Sequence, residues 1–188
     1  MAPDMRYDRR MYIQTERLIL REIDPERDFE PWAAAMADEN TVRYLGVKPM
    51  NRAEAWRSMA LVIGHWSIRG FGFFSLEHRE TGAWIGRVGP WFPQGWPAPE
   101  VGWTIAPEFV GQGYATEAAR AAVDHVFGSL GWPQVVHVIM EGNAPSIAVA
   151  GKIGSTLIRT QQGLPGITDH KVLIYGQSAD GGPARLPD

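Results

Sequence analysis

The chain has no cysteine in its 188 residues, which removes a disulfide framework, a thiol nucleophile and any thiolate metal site. Its five histidines lack the spacing of a ligand pair, so no metal is expected. No basic run exceeds the pair Arg9 and Arg10, and Lys plus Arg number 18 against 21 Asp plus Glu, a net charge of -3. A nucleic acid is therefore not the expected partner. No apolar run approaches the roughly 20 residues needed to cross a bilayer, and the opening MAPDMRYDRR is too charged for a secretion signal. These absences point to a cytoplasmic protein with no membrane partner.

What is present is the composition of a globular domain, 45% hydrophobic and 21% charged,. One domain is expected over residues 12–177, with 1–11 and 178–188 as flexible tails, because GQSADGGPARLPD is polar and rich in Gly and Pro,. YIQTERLILREI reads as a first strand with Leu18 and Leu20 on one face,. DPERDFEPWAAAMAD reads as a helix capped by Asp24 with Pro25 at its first position, and a second helix starts at the cap Asn51 and stops before Gly70,. The period then changes. FGFFSLEH, AWIGRVGPW and EVGWTIA form an expected antiparallel meander, with turn chemistry in RETG,. A helix over Thr116 to Phe127, a strand QVVHVIM, a helix over Ala144 to Lys152 and strands near 156–161 and 171–175 complete the expectation.

EFVGQGYATEAA, Glu108 to Ala119, puts Gly111 and Gly113 at the mouth of an alanine-rich helix. The first turn of a helix has N–H groups without intrahelical acceptors and carries the positive end of the dipole. Glycines there let an anion approach the N–H groups of Gly111 to Thr116, and Ala115 keeps the way open. A plain glycine loop is the alternative. The Walker pattern is absent, and a Rossmann fingerprint needs a third small residue where Thr116 stands, although Glu141 could then contact a ribose.

The order VGWTIAPEFVGQGYATEAARAAV, then a strand, then NAPSIAVAGKIGS resembles the GNAT superfamily of N-acetyltransferases, and the opening TERLILR resembles its RimJ/RimL-like branch. The resemblance spans Thr15 to Tyr175. It implies an α/β (α+β) fold: a mixed, mostly antiparallel central sheet flanked by helices, in which two parallel strands, here EVGWTIA and QVVHVIM, splay to form a slot for acetyl-CoA. By the same resemblance the backbone of Trp103, Thr104 and Ile105 pairs with the pantetheine arm, and Gly111, Gln112, Gly113, Tyr114, Ala115 and Thr116 hold the pyrophosphate. Asn143 reaches the pantetheine amides, Ser146 lies near the sulfur, and Lys152 with Gly154 ends the following helix. Three positions depart from the family: Val110 replaces a common Gln or Arg, Ala150 the tyrosine that often serves as general acid, and Ser155 an aromatic.

Amide formation needs a neutral amine, and reference amine pKa values near 10.4 or 7.7–8.0 call for a base. Glu100 opens the strand beside the thioester and matches a carboxylate that is the base in part of the superfamily. His137 and Glu141 are alternatives. The Ile105 N–H can stabilise the oxyanion, and Ser146 can hydrogen-bond the departing thiolate. WFPQGWPAP, Trp91 to Pro99, is either an acceptor-site wall or a loop pinned by its tryptophans. The expected partners are acetyl-CoA and an amine acceptor, a small molecule or a protein N-terminus. The family often forms homodimers. A non-catalytic acyl-CoA sensor and a dinucleotide-binding protein are the competing functions.

Overall fold

A computed structural model describes residues 12–164 and 167–186 of the chain, without the side chains of 167–169. The expected tail 1–11 lies outside the described residues. The apolar alternation after it is cut by a turn: β1 (Tyr12–Gln14) and β2 (Leu18–Arg21) pair antiparallel, with Ile13 opposite Leu20. Thr15 causes the reversal, since its hydroxyl accepts the Leu18 N–H at 3.0 Å while its own N–H bonds the Leu18 carbonyl at 2.9 Å,. The single strand expected from YIQTERLILREI is thus a hairpin.

α1 (Pro25–Ala37) starts where expected, with the Asp24 carboxylate accepting the Glu26 N–H at 3.1 Å,. A short α2 (Glu39–Val42), opened by Asp38, was not legible in the sequence. α3 (Arg52–Arg69) carries a capping box between Asn51 and Glu54 and ends at Gly70, whose φ of +76° needs no Cβ,. β3 (Phe74–His78), β4 (Trp84–Trp91) and β5 (Glu100–Ile105) form the meander. α4 (Tyr114–Gly128), β6 (Gln134–Met140), α5 (Ala144–Lys152), β7 (Thr156–Leu164) and β8 (Ile167–Ser178) follow.

Among the described residues eight strands form one sheet in the order β1-β2-β3-β4-β5-β6-β8-β7, in which β5 and β6 are parallel neighbours. A parallel pair needs a crossover, and α4 supplies it. Because α4 has small residues inward at Ala118, Ala119 and Ala122, it lies close on Leu18, Leu20, Leu76, Ile85 and Val101. The other face is covered by α1 and α3 through Trp32, Met36, Met59 and Val62, against Phe73 and Trp84. Each large apolar side chain so buried contributes about 1.5–3 kcal/mol relative to exposure.

The C-terminal stretch departs from expectation. Ala184 is buried with Ala98, Val136 and Ile174, and Gln134 and Arg185 exchange two hydrogen bonds of 2.7 Å. The residues from Ser178 to Leu186 therefore pack on the fold despite their glycines; the composition of the stretch gave no sign of the apolar notch that Ala184 fills.

Candidate active site

β5 and β6 run side by side only at the start. Glu100 pairs with Val136, and the Val136 N–H bonds the Pro99 carbonyl at 2.9 Å. Beyond that point two side chains replace the missing ladder. The Glu100 carboxylate, from β5, accepts the Val138 N–H of β6 through Oε1 at 3.0 Å. In the opposite sense His137, from β6, donates from Nδ1 to the Val101 carbonyl of β5 at 2.7 Å. The two strands are wedged apart with their facing backbone groups satisfied, as burial requires. Trp103, Thr104 and Ile105 bond β4 along one edge of β5 and line an open slot along the other.

Burial fixes the protonation chemistry of this vertex. Glu100 is 6% exposed, and desolvation pushes its carboxyl up to about 7 against the opposing pull of the Val138 N–H, the Trp96 indole and the Arg87 charge,. Trp96 donates to Oε2 at 2.6 Å. A carboxyl poised near neutrality is matched to taking a proton from an amine at physiological pH. His137 is 1% exposed, and burial drives it down to about 4. Since its Nδ1 carries the proton given to Val101, its Nε2 must accept from the Ser155 hydroxyl at 2.9 Å, which in turn takes the Gln177 amide at 2.9 Å. Its lone pair is used, so His137 is a neutral strut and not a free base. Ser155 stands where the family often has an aromatic, and the strut explains the hydroxyl. Glu141 is exposed and bonded to Lys171 at 2.6 Å, away from the vertex.

The slot opens into a cavity of about 610 Å³. Trp103, Thr104, Ile105, Gly111, Gly113, Tyr114, Ala115, Thr116, Asn143 and Ser146 all line it. Gly111 and Gly113 have φ of +83° and +86°, and Gly113 caps α4 without any side-chain hydrogen bond, leaving the first-turn N–H groups directed outward,. Two expected residues stand apart. Glu100, at the vertex, does not line the cavity, and neither does Gln112: its side-chain amide donates to the Glu108 carbonyl at 3.0 Å and its backbone carbonyl accepts from Arg17 at 3.0 Å. The Tyr114 side chain is buried against His78 and Phe109, so its backbone faces the cavity while its ring belongs to the core. The Asn143 carboxamide accepts the Ser146 N–H at 3.3 Å and starts α5. Ala150 is buried in the core.

Other participants left no signal in a local reading. Glu117, in the first turn of α4, takes the Arg17 guanidinium at 2.7 Å, the Arg17 N–H at 2.8 Å and the Thr15 hydroxyl at 2.6 Å. Arg17 also covers the Tyr114 ring at 4.5 Å. This brace ties the hairpin turn to the glycine loop and offsets a carboxylate that would otherwise repel an anion there. Tyr44, after α2, donates to the Gly142 carbonyl at 3.2 Å and lines the same cavity. WFPQGWPAP is a pinned loop: Trp91 stacks on His65 at 4.3 Å, the Phe92 N–H bonds His65 at 3.1 Å, and Trp96 holds Glu100. Among the described residues no cluster of metal-ligating side chains occurs, and no helix is long and apolar enough to cross a membrane.

The family described as "Acetyltransferase (GNAT) domain" matches residues 17–156. The uncharacterized N-acetyltransferase YoaA of Bacillus subtilis is 30% identical over 145 residues, which is 76% of this chain and 81% of that protein. An acetyltransferase of Agrobacterium tumefaciens, known as a crystal structure, is 31% identical, with a TM-score of 0.76 over 88% of this chain and 93% of that one. The spermidine N-acetyltransferase of Vibrio cholerae, solved with CoA and spermine, has the same fold at 17% identity, with a TM-score of 0.73 over 89% and 98% of the two chains.

Proposed function

The chain belongs to the GNAT family of acetyltransferases, and from that premise we propose how it moves an acetyl group to a primary amine. Acetyl-CoA enters the slot with its pantetheine arm along the free edge of β5, at Trp103, Thr104 and Ile105, and its pyrophosphate on the N–H groups from Gly111 to Thr116. Asn143 meets the pantetheine amides. Gln112 serves through its backbone alone, since its side chain is turned to Glu108.

Glu100 takes the proton of the ammonium group, directly or through a water. The freed nitrogen lone pair attacks the thioester carbonyl, and the Ile105 N–H receives the charge that develops on oxygen. Collapse breaks the C–S bond, Ser146 steadies the departing thiolate by a hydrogen bond, and the nitrogen gives up its surplus proton through water to that thiolate, leaving the neutral amide and the free CoA thiol. A thiol pKa near 8.5 makes this a tolerable leaving group without the family's tyrosine, whose place is filled by Ala150. No enzyme-bound acetyl is needed.

The observation that carries this reading is the vertex where Glu100 and His137 wedge β5 from β6, ending an otherwise continuous sheet in an open edge that leads to an uncapped helix. The RimJ/RimL-like branch is part of the proposal, supported by TERLILR, whose Thr15 and Arg17 brace Glu117. The test is a titration with acetyl-CoA and separately NAD, read by tryptophan fluorescence, on the parent and on Gly113→Val. A side chain at φ +86° is strained and its Cβ would stand 3.4 Å from Arg17,. We expect acetyl-CoA to bind, NAD not to, and the variant to lose at least about tenfold in affinity. Failure of acetyl-CoA to bind the parent protein sinks the proposal.

A further inference from the structure

Arg87, in the middle of β4, is an inward-facing arginine without an ion pair among the described residues. Its guanidinium lies against two aromatic rings, 4.8 Å from the centre of Trp32 and 4.8 Å from that of Phe73. Two such cation–π contacts hold the group by its π face and take up none of its N–H donors,. Of these, Nε makes a long bond of 3.4 Å to the Thr104 hydroxyl. Among the described residues no carboxylate lies within ion-pair distance of it. The contrast with the same protein's other inward-facing arginine is direct: Arg21 is held by Asp28 at 2.7 and 2.8 Å and by Glu77 at 2.8 Å. Desolvation draws the Arg87 guanidinium down to about 10 against the opposing pull of the Glu100 charge, so the group stays charged at neutral pH at a cost that no ion pair in direct contact offsets.

Its position says which molecule would bring the partner. Arg87 pairs across the sheet with Thr104, a residue of the acetyl-CoA slot. It sits on the face covered by α1 and α3, because Trp32 and Phe73 belong to that face, whereas the phosphate cradle opens α4 on the other. Glu100 shares the Arg87 face: a Cβ on Gly102 would meet the Phe73 ring at 3.1 Å and Glu100 Oε1 at 3.4 Å, and the charge of Arg87 acts on the Glu100 carboxyl. One side of β5 thus presents a base suited to an ammonium group and, past the Phe73 ring, a cation suited to an oxyanion.

Resting on the acetyltransferase reading, we infer that the acceptor is a small amino acid-like molecule whose amine goes to Glu100 and whose carboxylate is received by the free N–H edge of Arg87. Polyamines, which bring no anion, are poor acceptors here, and the Glu100–Arg87 pair is a determinant of specificity in addition to the base itself.

The test compares acceptors that differ only in the carboxylate. Amino acids with apolar, aromatic and ω-amino chains, their carboxamides, and spermidine are assayed with acetyl-CoA on the parent protein, Arg87→Lys and Arg87→Met. The acids should exceed their amides in kcat/KM by about 10- to 100-fold, the range of a charge-assisted hydrogen bond. Arg87→Met should bring that ratio to about one, and Arg87→Lys should restore part of it, with acetyl-CoA affinity within about twofold of the parent in both. Simple carboxylates should inhibit competitively against the acceptor where their amides do not, a readout on the parent that needs no variant to fold. Amides or spermidine used as well as the acids, an acid preference that survives Arg87→Met, or no acid acetylated although acetyl-CoA binds would each overturn the inference. Loss of acetyl-CoA binding in the parent would instead remove the reading on which it rests.

Discussion

The two ends of β5 solve opposite problems. At the C-terminal end, Trp103 to Thr116 present backbone: an open strand edge, glycines at φ of +83° and +86°, and a helix start without a side-chain cap. At the N-terminal end, Glu100 is buried among groups from elsewhere in the chain: the Val138 N–H and the Trp96 indole bond its carboxylate, and the charge of Arg87 acts on it. In the proposed reaction the first end is the binding end, through groups left unsatisfied, and the second is the reacting end, through one carboxyl that burial raises to about 7. On that proposal, binding and proton transfer are separable along a single strand.

The sharpest way to break that comparison is Glu100→Gln, which leaves the cradle untouched. We expect kcat/KM to fall by about 10²- to 10⁴-fold, the span of general-base contributions, with acetyl-CoA affinity unchanged in a fluorescence titration; an equal loss of both would show the two ends to be one unit. Next is His137→Ala, which leaves the Val101 carbonyl and the Ser155 hydroxyl without their partner and opens a void at the vertex. A loss of about 3 kcal/mol in urea unfolding is expected, and a loss of activity at unchanged stability would instead return His137 to the list of bases.

The pH dependence sharpens the same contrast. Glu100 must be ionised to act, so kcat/KM should fall about tenfold per unit as pH drops below its value of about 7,, while acetyl-CoA affinity stays nearly level there. Stability runs the other way. A carboxyl whose folded pKa is raised favours folding most below its unfolded value, and that contribution is lost as pH rises through about 7,. His137, held down to about 4, gains stability as pH rises and so offsets it in the parent. The Glu100 contribution is therefore read as the difference between the parent and Glu100→Gln, which should grow from pH 4.5 to 7. The smallest effect belongs to Ser146→Ala. The loss of one hydrogen bond to a sulfur whose charge is only partly developed in the transition state should lower kcat by about three- to tenfold, and a loss as large as that of Glu100→Gln would make Ser146 an obligatory acid.

Much of the frame was readable in advance for a common reason. Asp24, Asn51, Gly70 and Gly154 mark helix ends through contacts within a few residues, and the meander strands declare themselves by period two. What misled was also local in appearance. YIQTERLILREI alternates like one strand, but Thr15 folds it back, and GQSADGGPARLPD is polar like a tail, but Ala184 finds an apolar notch in β6 and β8.

The sequence by itself determined most of the elements, the caps at Asp24, Asn51 and Gly70 and the place of two glycines before α4, because each depends on residues a few positions apart and on backbone geometry that glycine favours,. Tertiary structure decided the rest. The bond from His137 to Val101 spans 36 positions, that from Glu100 to Val138 spans 38, and the Arg17–Glu117 brace spans 100. Which side chains meet over such separations follows from sheet register, and so from the burial that fixes register. The raised pKa of Glu100, the strut role of His137 and the meeting of Arg87 with Trp32, Phe73 and Thr104 exist only once the elements are side by side.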